Sequence, residues 1–474
     1  MKALLSWREG DDGLPPRQRI LAMMVLMSGS LMAVLNINSV NIALPTIADE
    51  LGISSAASVW IINVYQLVGA ASMLTFAALG YRIGRYRLYI GGMITFVVTS
   101  VLCALSPSLG WLIVFRAIQG LGSAAMMSIG PSMYRVIFPT RLLGQAMGLT
   151  ALTVSLAVAG GPALGGLVLA VASWQWLFWI NVPFGLAAVW LAIRALPQEQ
   201  GSRYRFDVLG AVLSAVGLGS FVIMLDSIAD MSGPGTVPVL LLVSVAALTG
   251  FVWRQRHFDN PLLPLVIFRE ARFTMAVMTS FFSFLAQSMA FISLPFLFQN
   301  VQGYTPLESA FLFTPWPLGV MIGAPLGGRL ADRFSPPIIS SMGLLLFMAG
   351  LAALALLGDQ PSTMDILWRS ALCGLGFGLY QAPNNREMMG SLPKARSGSA
   401  SGVLASVRTF GQSVGAALVA LVLSGIMDAT RDSAVTVSLA LWMGMASAIV
   451  ALILSASRIR MLRRQSPDQA ATGQ

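Results

Sequence analysis

Arg116 stands inside an apolar, otherwise uncharged stretch and is followed by Gln119, Gly120 and Gly122. A guanidinium in hydrocarbon is costly and faces protein or water rather than lipid. It needs acceptors. Gln119, one helical turn further on, or a carbonyl bared on a neighbouring helix can supply them, and the glycines permit that close approach. The reading open from these residues alone is a structural cation or one that works on charge during function.

The first two apolar stretches carry amides rather than acids. Asn36, Asn38 and Asn41 lie in the first apolar stretch and Asn63 in the second. An amide does not take up and release a proton near neutral pH, so Asn36 is excluded as a carrier. The acids within or near apolar stretches are Asp226, Asp365 and Glu387. Asp226 is read either as solvated at a membrane interface or as an acid that works within its apolar stretch. Glu387 follows Asn384-Asn385-Arg386 and either pairs with Arg386, caps its helix or carries a proton. The single histidine, His257, sits among arginines and reads as a solvated loop residue. Trp60, Tyr65, Phe284, Trp316 and Tyr380, with 26 methionines in the chain, offer either a soft cavity lining or ordinary core packing.

The elements that position these groups are membrane helices. The 474 residues are 56% hydrophobic and 10% charged, with mean hydropathy +0.77, more apolar surface than a soluble domain can cover. Fourteen stretches reach the roughly 20 apolar residues needed to cross a bilayer. They are predicted near 20–44, 57–80, 88–106, 109–134, 143–171, 175–194, 208–228, 237–254, 273–299, 308–330, 338–358, 365–385, 402–427 and 434–456. The net charge of +10 is a topology signal rather than a nucleic-acid footprint. Arg116 and Arg369 are read inside spans and Arg431 in an outer loop; the other basic residues are assigned to one face. That bias puts both termini in the cytoplasm. The first 19 residues lack a small-residue cleavage site, so no removable signal peptide is expected. Cys103 and Cys373 fall within spans and read as packing residues rather than a disulfide.

Internal repetition divides the chain. Leu79-Gly80-Tyr81-Arg82 is echoed by Leu330-Ala331-Asp332-Arg333, and Arg116 by Arg369, at offsets of 251 and 253 residues. Two six-helix bundles, 1–196 and 261–474, with an inserted helix pair over 197–260, account for that spacing.

Several motifs then converge. Gly148, Gly161, Pro162, Gly165 and Gly166 provide a kinked helix with small faces. Their spacing resembles the antiporter motif of the major facilitator superfamily, G-x(8)-G-x(3)-G-P-x(2)-G-G, with Ala157 in place of the middle glycine. Arg116, Gln119, Gly120 and Gly122 match the superfamily's R-x-x-Q-G-x-G element, whose arginine is tied to proton transfer in that family. Arg82, Gly84 and Arg85 resemble its gating loop, although Tyr81 stands where that loop has an aspartate. The second copy, with Gly328, Asp332 and Arg333, keeps the acid, which implies a latch resting mainly on the second half. The run from Leu35 to Pro45 is similar to the L-D-x-T-x-V-N-x-A-L-P signature of fourteen-helix drug:proton antiporters, with Asn36 for the aspartate and Asn38 for the threonine.

The resemblance implies an all-α polytopic protein of the major facilitator fold in the bacterial cytoplasmic membrane. It implies a multidrug exporter of amphipathic compounds by proton antiport and alternating access, acting as a monomer on small-molecule substrates. Asn36 leaves the first half without a carboxylate, so neutral, zwitterionic or anionic compounds are expected in preference to dications. A narrow-specificity exporter, an uncoupled facilitator and a non-transporting membrane sensor remain the alternatives. No nucleotide-binding loop, metal-ligand cluster or catalytic triad is evident, so neither enzyme activity nor a cofactor is expected.

Overall fold

In hydrocarbon every backbone N–H and C=O must be satisfied within its own segment, which restricts a long apolar chain to helices or a closed barrel. The computed structural model takes the helical solution. It describes residues 13–139, 142–198, 206–229, 236–258, 261–358, 361–392, 397–430 and 433–471, with no strand among them.

The first set of helices comprises α1 (Pro16–Leu51), α2 (Ser55–Ile83), α3 (Arg85–Ala104), α4 (Leu109–Ile137) and α5 (Leu143–Val171). The short α6 (Trp176–Trp179) and α7 (Asn181–Ala195) share one apolar stretch; α8 (Val208–Ala229) and α9 (Thr236–His257) follow. The second set begins at α10 (Ala271–Phe296). After it come α11 (Pro306–Phe313), α12 (Pro315–Arg333), α13 (Pro336–Ala355), α14 (Thr363–Gly390), α15 (Ser397–Thr430) and α16 (Ser433–Ala471).

Among the described residues thirteen helical segments are long and apolar enough to cross a membrane. The predicted stretch 365–385 is the one that falls short. Its helix, α14, carries Asp365, Arg369, Asn384, Asn385, Arg386 and Glu387, and it lies between α12 and α13, with which it makes its most extensive contacts. Protein covers Asn384 and Glu387, which are buried, while Arg386 is exposed and Asp365 half-exposed towards the helix ends. The contact is close enough that a methyl group at Gly374 would collide with the Trp316 carbonyl.

Two compact units result. The first is Met1–Leu263 with Thr305–Ala310; the second is Pro264–Tyr304 with Phe311–Gln474. In the first unit α4 packs on α2 and α3, α5 packs on α1, and α8 pairs with α9 while also touching α2. In the second, α14 packs on α12 and α13, and α10 on α15 and α16.

A buried acid closes the α8/α9 hairpin. Asp207, in what reads as a polar connector, caps α8 by accepting the Gly210 N–H at 2.9 Å. It also accepts from Arg254 Nε at 2.8 Å and Gln255 Nε2 at 2.9 Å, both on α9. Burial alone would raise its carboxyl; the hydrogen bonds and the Arg254 charge outweigh burial and hold it below the usual carboxylate value. His257 ends α9 as a helical residue, with Nδ1 2.8 Å from the Trp253 carbonyl oxygen, rather than lying in a loop.

A carboxyl lowered by folding stabilises the fold above its unfolded value, and that contribution fades as pH falls through the folded value. Asp207→Ala should therefore lower the melting temperature at neutral pH, with a lost cap alone costing about 1 kcal/mol. The gap from wild type should close below roughly pH 4, the ordinary carboxylate range. Thermal unfolding of detergent-purified protein at several pH values checks both the size and the sign.

Candidate functional site

Arg116 is fully buried on α4, and its charge is met by amides and a carbonyl. Nε donates to the Ile61 carbonyl of α2 at 2.9 Å. Nη1 donates to Asn36 Oδ1 of α1 at 2.5 Å and to Gln119 Oε1 at 2.6 Å. Gln119 Nε2 donates onward to Ser100 Oγ of α3 at 2.7 Å, and that hydroxyl donates to the Phe96 carbonyl. The guanidinium lies 4.3 Å from the Tyr65 ring centroid and 5.7 Å from that of Phe178, within cation–π range. One side chain thus draws on four helices, because the i, i+3 spacing puts Arg116 and Gln119 on one face of α4. No carboxylate is among its partners in the described residues, and Nη2 and Asn36 Nδ2 are buried donors without an acceptor.

The glycine–proline helix lies directly against the same α1. Ser39 Oγ donates to the Gly161 carbonyl at 2.9 Å. A Cβ at Gly165 would fall 2.8 Å from the Ser39 carbonyl oxygen, and one at Gly161 would collide with Asn38 Cβ. Pro162 and Gly166 are buried on the same helix, and Asn38 Nδ2 bonds its own α1 at the Val34 carbonyl. Asn41 and Asn63 are buried, and Trp60 is half-buried. The surroundings of Gly148 and the side chain of Asp226 lie outside the described residues.

The second unit treats its charges differently. Glu387 is buried on α14, where Oε2 accepts from Arg458 Nη1 of α16 at 2.8 Å and Oε1 lies 3.5 Å from Arg272 of α10. Asn384, one turn earlier, donates to Ser280 Oγ at 2.8 Å and to the Ala276 carbonyl at 3.1 Å. Arg369 pairs with Asp365 at 3.5 Å. Phe284, Trp316 and Tyr380 are buried in a run of edge-to-face rings: Trp316–Phe347 at 5.9 Å, Phe347–Phe377 at 5.4 Å, then Phe377 to Phe284 at 5.3 Å and to Tyr380 at 5.5 Å.

The gating-loop residues sit at helix junctions. Gly84 (φ +96°) joins α2 to α3, Arg82 is exposed, and Arg85 Nη1 reaches the Ser132 carbonyl of α4 at 3.3 Å. Gly328 and the exposed Arg333 lie on the last turns of α12; the side chain of Asp332 is outside the described residues.

Sequence reasoning passed over two cations. Arg458, assigned to a cytoplasmic cluster, is buried against Glu387, 71 residues away in sequence. Arg408, also assigned to one face, lies within the Gly402–Ser424 span. Its position six residues into an apolar run was visible in the sequence.

Each unit buries its own cation cluster among helices, and thirteen of the described helical segments are long and apolar enough to cross a membrane, which makes this a polytopic membrane protein. Residues 26–416 match the Major Facilitator Superfamily, and the chain belongs to it. It is 41% identical to an uncharacterized transporter, YebQ, of Escherichia coli, over 97% of this chain and 99% of that one. It is 30% identical to the multidrug resistance protein Stp of Mycobacterium tuberculosis, over 88% and 78%. A POT family transporter crystallised with a thioalcohol-conjugated peptide shares the fold, with TM-score 0.72 and 14% identity over 94% of this chain and 96% of that one.

Asn36→Leu takes an acceptor from a buried guanidinium and should cost about 3 kcal/mol. Asn36→Asp sets a carboxylate at the same place and should raise the melting temperature through a charge-assisted bond. Unfolding temperatures of both variants in detergent check the opposite signs.

Proposed function

We propose that this transporter exports small amphipathic compounds across the bacterial cytoplasmic membrane by proton antiport and alternating access. The observation that carries the reading is the close glycine contact of α5 on α1, where Gly161 and Gly165 lie on Asn38 and Ser39. Helices packed through such small faces can shift against each other with little repacking. The likeness to a relative named as a multidrug resistance protein points the same way.

In this reading residues 1–196 and 261–474 form the rocking bundles and 197–260 the inserted pair. Arg82, Gly84 and Arg85 in the first half, and Gly328, Asp332 and Arg333 in the second, latch the cycle. The protein works as a monomer. Asn36 cannot carry the proton, and Glu387 is the described membrane-helix carboxylate that is fully buried. We assign the proton to Glu387, which exchanges it for its pairing with Arg458. Asn36 also favours a second reading, a facilitator that runs without proton coupling.

Everted vesicles from cells producing the full chain separate the two. Antiport predicts accumulation of fluorescent amphipaths that collapses on adding a protonophore. Glu387→Gln should abolish accumulation against a gradient while Glu387→Asp retains part of it. Accumulation indifferent to the protonophore contradicts the proposal, and equilibration alone favours the facilitator.

A further inference from the structure

Among the described residues Arg408 is an intramembrane cation that no carboxylate pairs with. It lies six residues inside the Gly402–Ser424 span, about 9 Å at 1.5 Å per residue. Its guanidinium turns onto the bundle interior, with its carbon 5.0 Å from the centroid of the buried Phe284 ring on α10. It is half-buried rather than sealed.

The charged and titratable groups on the elements around it are already engaged. On α10, Arg272 faces Glu387, and on α16 Arg458 holds the same carboxylate at 2.8 Å. On α14, Asp365 is tied to Arg369, and Tyr380 belongs to the ring cluster. Among the described residues Arg408 has neither an ion pair nor a hydrogen bond, whereas Arg369 and Arg458 each have a carboxylate and Arg116 has its amides. Glu387 is thus shared by Arg458 and the partly exposed Arg272, and among the described residues Arg408 is the second unit's intramembrane arginine with no carboxylate facing it, as Arg116 is met by neutral groups in the first.

A cation in a low-dielectric interior is strongly disfavoured unless a charge of opposite sign meets it, and a ring face offsets only a small part of that cost. An arriving cation is repelled by the same group. We propose that Arg408 is the residue that reads substrate charge, and that the preferred substrates are organic anions. Each would be a flat apolar body bearing one carboxylate or sulfonate, with the anion on the Arg408 guanidinium and the body against the rings beginning at Phe284. This rests on the export reading above and narrows it to one charge class.

A matched series tests it: 2-naphthoate, 2-naphthamide and a (2-naphthylmethyl)trimethylammonium salt, titrated against the purified full chain in nanodiscs by tryptophan fluorescence. Wild type should bind the naphthoate at least about tenfold tighter than the cation, the scale of one charge-assisted contact. Arg408→Gln should weaken naphthoate binding about tenfold and change naphthamide binding less than about twofold. Arg408→Lys should keep most of the anion preference. Arg408→Gln should also melt no lower than wild type, since it removes an uncompensated charge; a structural arginine would make it melt lower. Equal affinity for anion and cation, or an unchanged ratio in Arg408→Gln, overturns the charge assignment and leaves export standing. Failure of all three probes to bind overturns both.

Discussion

A charge that cannot be left bare in hydrocarbon organises the first unit. Arg116 takes its acceptors from α1, α2 and its own α4, and through Gln119 it reaches α3. Each acceptor is neutral, so the guanidinium brings its positive charge into the bundle without cancellation. Asn36 and Ser39 lie one turn apart on α1, so the helix that gives Arg116 an acceptor is also the one on which α5 packs. The polar contact and the small-residue contact therefore share one helix. A shift of α5 along α1 changes the packing beside the arginine.

The second unit solves the same problem with carboxylates. Glu387 draws Arg458 and Arg272 to α14, and Asp365 holds Arg369. Those ions explain why α14 is too polar for a lipid-facing span and why it is wrapped by α12 and α13. The two units thus differ in kind: a carboxylate meets the buried Arg458 of the second, and a neutral amide meets Arg116 in the first. In the α8/α9 pair the buried acid Asp207 closes its own hairpin.

Much of this was legible in the sequence because the bilayer imposes long, simple signals. Apolar runs of fixed length gave the helices, and the three-residue step from Arg116 to Gln119 places them on one helical face. The glycine–proline spacing marked α5, although not its contact with Ser39. Other features depend on distance across the fold. Arg458 meets Glu387 across 71 residues, and nothing local distinguishes it from the cytoplasmic arginines beside it. Asp207 looked like a connector residue because its partners lie on α9. The aromatic run from Trp316 to Tyr380 is assembled from α10, α12, α13 and α14, so no window of sequence contains it. Arg408 was concealed by counting, since a single arginine near the start of an apolar run reads as a flanking charge.

Proton coupling in the proposed export cycle has to operate although position 36 holds an amide, Asn36. Proteoliposomes holding a trapped pH dye test it when a pH gradient is imposed and substrate is added. Antiport predicts proton movement that requires substrate, in the wild type and equally in Asn36→Ala wherever that variant remains folded. Substrate movement with no accompanying proton flux would contradict it, and would make this chain a facilitator with an antiporter's frame.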